Sequence, residues 1–180
     1  KEAAGYISRA ASTLEKMPRC MGHYYNWYDT RTLAPLSPPY ISTVDSGNMY
    51  AGLLCAANVL DAWGEAELSS RLRALMAGMD FLPLYDRVRG LFYICYDTVN
   101  NAGSGCWYAL MASEAVLTSY IAVAKGDVPM RHWRALSRAQ LQKDGYRGLA
   151  SWTGTMFEYL MPALFLPLCR ASLLFESSRF

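Results

Sequence analysis

Apolar residues recur with a helical period along most of the chain, and each such stretch ends at a breaker. From Glu2 to Met17 they fall at Ala3, Tyr6, Ile7, Ala10, Ala11 and Leu14, one helix face, and Pro18 ends it. Met21 to Val44 carries Pro35, Pro38 and Pro39 and predicts a long loop. Ser46 is the expected N-cap of a helix to about Trp63, stopped by Gly64. Glu65 to Met79 reads as a second helix, amphipathic through Leu68, Leu72, Leu75 and Met76. Leu91 to Tyr96 is a short β-prone run, and Asn100 to Gly105 a flexible loop. Trp107 to Ala124 predicts an inner helix, apolar on most of its circumference. Pro129 marks the first position of a helix to about Gln142, followed by a loop from Lys143 to Thr153. Thr155 to Phe165 and Cys169 to Phe180 predict two more helices, broken at Pro167. Helix pairs separated by long aromatic loops predict a mainly α fold, an α/α toroid of helical hairpins with at most a short local β-hairpin. A four-helix bundle fits such loops less well.

Composition narrows the picture. A chain of 180 residues, 53% hydrophobic and 18% charged, suits one domain over residues 1–180 with a real core. Its 17 basic and 15 acidic residues interleave to a net charge of +2, so no basic tract can follow a phosphate backbone, and nucleic acid is excluded as a partner. Cys20, Cys55, Cys95, Cys106 and Cys169 are odd in number and lack C-x-x-C spacing, which argues against a zinc site and a full disulfide framework. They read as buried or half-buried thiols in a reducing compartment. Ser46 to Leu60 and Tyr159 to Cys169, the apolar runs, are cut by charge short of the ~18 residues a membrane span needs. Glu2, Arg9 and Glu15 interrupt any signal-peptide core. Opening inside a helical pattern and stopping at Phe180 without a stop signal, the chain reads as a segment of a longer protein.

Four segments carry candidate chemistry. His23 to Arg31 mixes Tyr25, Trp27 and Tyr28 with Asn26, Asp29 and Arg31, the blend of flat rings and hydrogen-bonding groups that a sugar needs; it also suits a loop pinned by tyrosines and an Asp29–Arg31 pair. Asp45 and Asn48 sit at a loop-to-helix junction, where Asp45 either caps the helix or faces a pocket. Glu114 is the lone charge in an apolar helix that starts with Trp107 and Tyr108, either paired in the core or working. Glu158 opens another apolar helix just after Trp152, as a partner of the helix dipole or as a second carboxylate. Paired carboxylates beside aromatic rings fit glycoside chemistry. His132, among Arg131, Arg134 and Arg138, reads as a surface or packing histidine. No phosphate loop, nucleophile elbow or metal-ligand pair is present, and no cofactor is implied.

Together these segments resemble the glycoamylase-like, or cyclisation, domain of cyclic β-1,2-glucan synthases. The resembling stretches are His23 to Arg31, Tyr40 to Asn48, Leu91 to Tyr96, Met111 to Ala115, Ala122 to Trp133 and Ser151 to Pro162, in the family's order and approximate spacing. More distantly they are similar to β-1,2-glucanases and other (α/α)6 glycosidases. The resemblance implies a partial (α/α)6 toroid, a β-1,2-glucan substrate, and retaining transglycosylation that closes linear chains into rings. It implies Glu114 as nucleophile and Glu158 as second carboxylate or subsite residue. Tyr25, Trp27, Tyr28, Asp29, Arg31, Asp45, Asn48, Trp107, Tyr108 and Trp152 would bind the sugar. It also implies an inner-membrane parent with this domain on the cytoplasmic side, and a family domain continuing past Phe180 to a Gly-Ile-Ser-Glu-Ser type motif that houses the acid/base carboxylate. Ala109, Val116 and Cys95 stand where the family has Asp, Arg and Gly. At helical spacing the first two flank Glu114 and remove its support, so the isolated chain is expected to have little or no activity. A β-1,2-glucan hydrolase and a non-catalytic glucan-binding module are the alternatives.

Overall fold

The computed structural model describes residues 2–179. The expected apolar stripes bring three helices together. α1 (Glu2–Leu14), α2 (Thr43–Ala62) and α3 (Ala66–Ala77) bury Ala4 and Ala11, Leu53, Ala57 and Leu60, and Leu68, Leu72, Leu75 and Met76 in one cluster. α2 starts earlier than Ser46. Its N-cap is Ser42, whose hydroxyl accepts the Asp45 N–H at 3.3 Å, so Asp45 lies in the first turn, where a carboxylate suits the helix dipole.

The segment read as a long loop contains short strands. β1 (Arg19–Cys20) pairs with β2 (His23–Tyr24), and β3 (Tyr40–Ser42) leads directly into α2. Downstream come β4 (Tyr85–Asp86), β5 (Leu91–Tyr93), β6 (Cys95–Asp97), β7 (Ala102–Gly103) and β8 (Trp107–Tyr108). They form two three-stranded antiparallel sheets, in the orders β3-β6-β7 and β4-β5-β8. The expectation of a single local hairpin is therefore corrected: the described residues hold four small sheets. Strands of two or three residues are too short for an alternating pattern to register. The sheet through β3 also joins segments more than fifty residues apart, as in Ile41 opposite Tyr96.

The inner helix expected from Trp107 to Ala124 is likewise shorter, α4 (Val116–Lys125). The backbone ahead of it is committed elsewhere. Tyr108 and Trp107 pair with Phe92 and Tyr93, Ser137 N–H donates to the Ala109 carbonyl, and Met111 N–H donates to the Ser137 carbonyl. α4 ends at left-handed Gly126 (φ 83°), where the N–H groups of Gly126 and Asp127 close on the carbonyls of Val123 and Ala122. α5 (Arg131–Ala135) stops well before Gln142, because Leu136 turns extended so that Ser137 can meet Leu110. The expected helix end and following loop are instead a hairpin of β9 (Gln140–Lys143) and β10 (Tyr146–Leu149). α6 (Met156–Leu160) runs into a 3-10 turn at Met161–Leu164, and α7 (Leu173–Ser178) follows; Phe180, the expected end of that last helix, lies outside the described residues.

The second core cluster gathers Ile41, Met79, Phe81, Leu84, Phe92, Leu117 and Ile121 under the small sheets. The thiols are free, but only Cys20 and Cys95 are half-buried; Cys55, Cys106 and Cys169 are exposed, unlike the expected buried set. No described helix is long and apolar enough to cross a membrane.

α2 and α4 cross at Gly47, where an added Cβ would overlap Thr118 Oγ1 and lie 2.7 Å from Thr118 Cβ. Farther along the same helix, Gly52 faces open space. Both positions would gain up to ~1 kcal/mol of helix propensity from alanine. Gly52→Ala is expected to raise stability, whereas Gly47→Ala is expected to lower it by ~1–3 kcal/mol through overpacking. Denaturant titration of the two variants checks the crossing: equal stabilisation by both would refute it.

Candidate functional site

The aromatic loop is organised by its own hydrogen bonds. Tyr28 is a pin: its hydroxyl donates to the Pro18 carbonyl (2.7 Å) and accepts the Tyr25 N–H (2.8 Å), and burial raises its pKa. Asp29 is a turn anchor. Its carboxylate accepts the N–H groups of Thr32 and Arg31 (both 2.8 Å) and the Thr32 hydroxyl (3.1 Å), and these bonds hold its pKa low. The expected Asp29–Arg31 pair is thus a bond to the Arg31 backbone, and Arg31 itself is exposed. Asn26, which the sequence reading did not single out as a site residue, occupies the centre. In the amide orientation that satisfies both ends, its oxygen accepts the Tyr40 hydroxyl (2.7 Å) and Trp27 Nε1–H (2.8 Å), and its NH2 donates to Asp45 Oδ2 (2.9 Å). Tyr25, Asn26, Trp27, Asp45, Ser46 and Met49 line a cleft of about 390 Å³. Asn48, one turn along α2, keeps a buried side-chain oxygen without a partner among the described residues and lies outside that lining.

A second cleft, of about 310 Å³, brings together Tyr108, Glu114, Trp152, Phe157 and Glu158 with Ile94, Thr153 and Thr155. Strand alternation decides which ring reaches it. Tyr108 shares the inner face of its sheet with Phe92, whereas Trp107 shares the outer face with Tyr93. There Trp107 is engaged: its indole N–H donates to Asp86 (2.9 Å), and the Arg89 guanidinium sits 4.0 Å over its ring. Burial, then the charges of Glu114 and Asp45, push the Tyr108 hydroxyl pKa up, so it stays a proton donor. Tyr108 thus feels the carboxylates of both clefts.

Glu114 occupies a turn just before α4 rather than a helix, and its carboxylate accepts only the neighbouring Ser113 hydroxyl (3.2 Å) among the described residues. The helical flanking read for Ala109 and Val116 is therefore corrected. Ala109 lies on the extended stretch after β8, and Val116 is a buried core residue in the first turn of α4.

Glu158 has a different character. Thr155 caps α6 and completes a capping box with it. The Glu158 carboxylate also accepts the N–H groups of Trp152 (2.8 Å), Thr153 (3.1 Å) and Thr155 (2.9 Å) and the hydroxyls of Thr153 (2.7 Å) and Thr155 (2.9 Å). Burial opposes its charge, but the bonds from Thr155 and Thr153 prevail and bring its pKa from 4.5 down to about 2. It shapes the loop that carries the half-exposed Trp152. His132 is fully buried, with Nδ1 2.9 Å from the Gly90 carbonyl and Nε2 2.9 Å from the Ser119 hydroxyl: a packing histidine, not a surface one. Among the described residues, no group of His, Cys, Asp and Glu is placed to hold a metal.

Because the folded-state pKa of Glu158 is depressed, its contribution to stability is complete above pH ~4.5 and is lost as the pH falls from there toward 2. Glu158→Gln is expected to cost ~1–3 kcal/mol at neutral pH, with the gap to wild type closing on acidification. Urea unfolding at pH 7, 4.5 and 3 reads this, and a constant gap would refute the anchor.

No family model matches the chain. It is 24% identical, across 91% of its length, to cyclic β-(1,2)-glucan synthase NdvB of Rhizobium meliloti, of which the match covers 10%. That alignment runs over 291 residues, longer than this chain, so the relative carries inserted residues. An endo-β-1,2-glucanase from Chitinophaga pinensis, solved as a sophorotriose and glucose complex, superposes with a TM-score of 0.82 at 17% identity, over 98% of this chain and 48% of that one. A glucoamylase-like protein from Bacteroides caccae gives 0.81 at 17% identity, over 99% and 48%. The chain spans about a tenth of the curated relative and about half of these solved structures. It is thus similar in sequence to a cyclic β-1,2-glucan synthase, as its motifs imply, and its fold is the glycoside hydrolase-like one seen in half of a glucanase or glucoamylase-like chain.

Proposed function

We propose that the chain is part of a glycoside-processing domain that acts on β-1,2-glucan by retaining transglycosylation. One observation carries the reading: Glu114, a carboxylate with a single neighbouring hydroxyl for a partner among the described residues, opens into a cleft walled by Tyr108, Trp152 and Phe157. Rings of this kind pack on the C–H faces of a sugar while carboxylates and hydroxyls take its polar edge. Glu114 attacks the anomeric carbon of an internal linkage while the acid/base protonates the departing glycosidic oxygen, so that a glycosyl–enzyme ester forms and the rest of the chain leaves as an alcohol. A chain-end hydroxyl, losing its proton to the same base, then displaces Glu114 with retention and closes the ring. Tyr108, held protonated, offers a hydroxyl donor on the same cleft wall.

Glu158, with its oxygens occupied by the 152–155 loop, serves as a subsite anchor rather than as acid/base. The acid/base comes from the remainder of a larger synthase chain that completes the toroid. That parent is an inner-membrane protein with this domain on the cytoplasmic side. Hydrolysis on the same scaffold is the second reading, favoured by the superposition on an endo-β-1,2-glucanase. The two differ in carboxylate separation, about 5–5.5 Å for retention against about 6.5–9.5 Å for inversion.

Incubation with linear β-1,2-glucan and mass spectrometry of the products tests the proposal. The 180-residue chain is expected to bind the glucan with little turnover. In a parent chain containing this segment, cyclic products lighter by one water are expected. There Glu114→Gln is expected to cut turnover by roughly three orders of magnitude while binding persists. Shortened linear chains would favour the hydrolase. Bound glucan without products from the parent would favour a binding module, and absence of binding would overturn the reading.

A further inference from the structure

We propose that Asn26 is a positioning residue that fixes Trp27 and Asp45 relative to each other, so that a glucosyl unit stacked on the Trp27 ring presents a hydroxyl to the Asp45 carboxylate. This rests on the glucan reading above and deepens it. Trp27 is 63% exposed, an open platform, and an indole on a loop would ordinarily rotate. Here its Nε1–H is held at 2.8 Å by the Asn26 amide oxygen, which also accepts the Tyr40 hydroxyl at 2.7 Å. Tyr40 belongs to β3, whose pairing with β6 makes it a rigid base, and the Asn26 N–H donates to the Tyr40 carbonyl at 2.9 Å. At the other end of the amide, the NH2 donates to Asp45 Oδ2 at 2.9 Å, leaving the remaining Asp45 oxygen to a ligand. Asp45 is exposed and lines the same cleft as Trp27. The cleft floor holds one more hydroxyl in need of a partner, that of Ser46, which is 5% exposed and makes no hydrogen bond among the described residues. One amide thus ties an apolar platform and a charged acceptor to the same strand, the arrangement that fixes sugar register in a site where each group alone would be loose.

Asn26→Asp tests this with a built-in rescue. It keeps an oxygen for Trp27 and Tyr40 but replaces the donor facing Asp45 with a second carboxylate. At pH 8 the two charges repel; near pH 5 they begin to share a proton, which restores a donor. Tyr24 and Tyr25 on the cleft wall, Tyr40 against the amide, and Tyr108, which feels the Asp45 charge, are the other titratable groups facing it, and the wild-type chain, titrated in parallel, removes their contribution. The probe is a linear β-1,2-linked glucose oligosaccharide, followed by tryptophan fluorescence and by the Trp27 indole N–H resonance. Wild-type affinity is expected to change little between pH 5 and 8, whereas Asn26→Asp is expected to bind about tenfold more weakly at pH 8 than at pH 5. The Trp27 resonance should shift over the same range even without sugar. Wild-type binding with a pH-independent Asn26→Asp would overturn the role of Asn26 and leave the glucan reading standing. No binding by wild type would remove the glucan reading and this register with it. Asp45→Asn, which retains a polar partner for Asn26 but no charge, is expected to weaken binding at every pH; unchanged binding would overturn the part assigned to Asp45.

Discussion

Three parts of the chain meet at Thr43. The residue is fully buried, and its polar groups reach out to two other parts of the chain. Its N–H donates to the Ile94 carbonyl (3.2 Å) and its hydroxyl to the Tyr93 carbonyl (2.7 Å), which tie the start of α2 to the point where β5 passes into β6. Its carbonyl accepts the Thr118 hydroxyl (3.2 Å), which ties it to α4. A buried polar group is costly unless its partners are all present, so these bonds admit one mutual placement of helix, sheet and helix. The absence of a side chain at Gly47 then lets α2 and α4 come close enough for the Thr118 bond to form.

Both clefts take their geometry from that junction. Ser42, one residue before Thr43, caps α2 and sets Asp45 in its first turn, beside Asn26. Ile94, which accepts the Thr43 N–H, lines the cleft that holds Glu114. Glu114 in turn precedes α4, the helix that Thr118 anchors. The carboxylates of the two clefts are therefore placed through one junction, and Tyr108 feels the charge of both. The outer parts of the site are held differently. Asp29 and Glu158 each gather the backbone of a single loop, so their charges are local fasteners and leave the loop tips, with Trp27 and Trp152, open.

What the sequence made legible follows from how local each cause is. The stripes of α1 and α3 and the stop at Gly64, just past the end of α2, depend on near neighbours, and they are visible as period and punctuation. The clustering of Glu114, Tyr108 and Trp152 was reached through motif resemblance, because their proximity is long-range. The stretch from Trp107 to Ala115 defeated the helical reading because its backbone bonds go to Phe92, Tyr93 and Ser137, which no local pattern announces. Ser42 was hidden by a second serine, four residues on, that fits the same rule. Asn26 was in view as the one amide in a run of aromatic residues, a signal of polarity where none was needed for packing. Only the positions of Tyr40 and Asp45 give it a purpose. Glu158 was left open between a partner of the helix dipole and a second carboxylate, and the five donors of the 152–155 loop that gather on it include those of Trp152 and Thr153, at positions that no local pattern announces.

Strand β8 is two residues long, and its two rings face opposite ways: Tyr108 into the cleft and Trp107 onto the Asp86–Arg89 clamp outside. Because strand side chains alternate, sliding this segment by one position would exchange them. An indole would then line the Glu114 cleft in place of a phenol, and the phenol would face the clamp. Point substitutions can adjust the wall of the cleft by degrees, but a single inserted or deleted residue in β8 would replace its chemistry in one step. The length of this segment is thus under tighter constraint than the identity of most residues around it, and in descent it should vary by exchange of side chains rather than by gain or loss of positions.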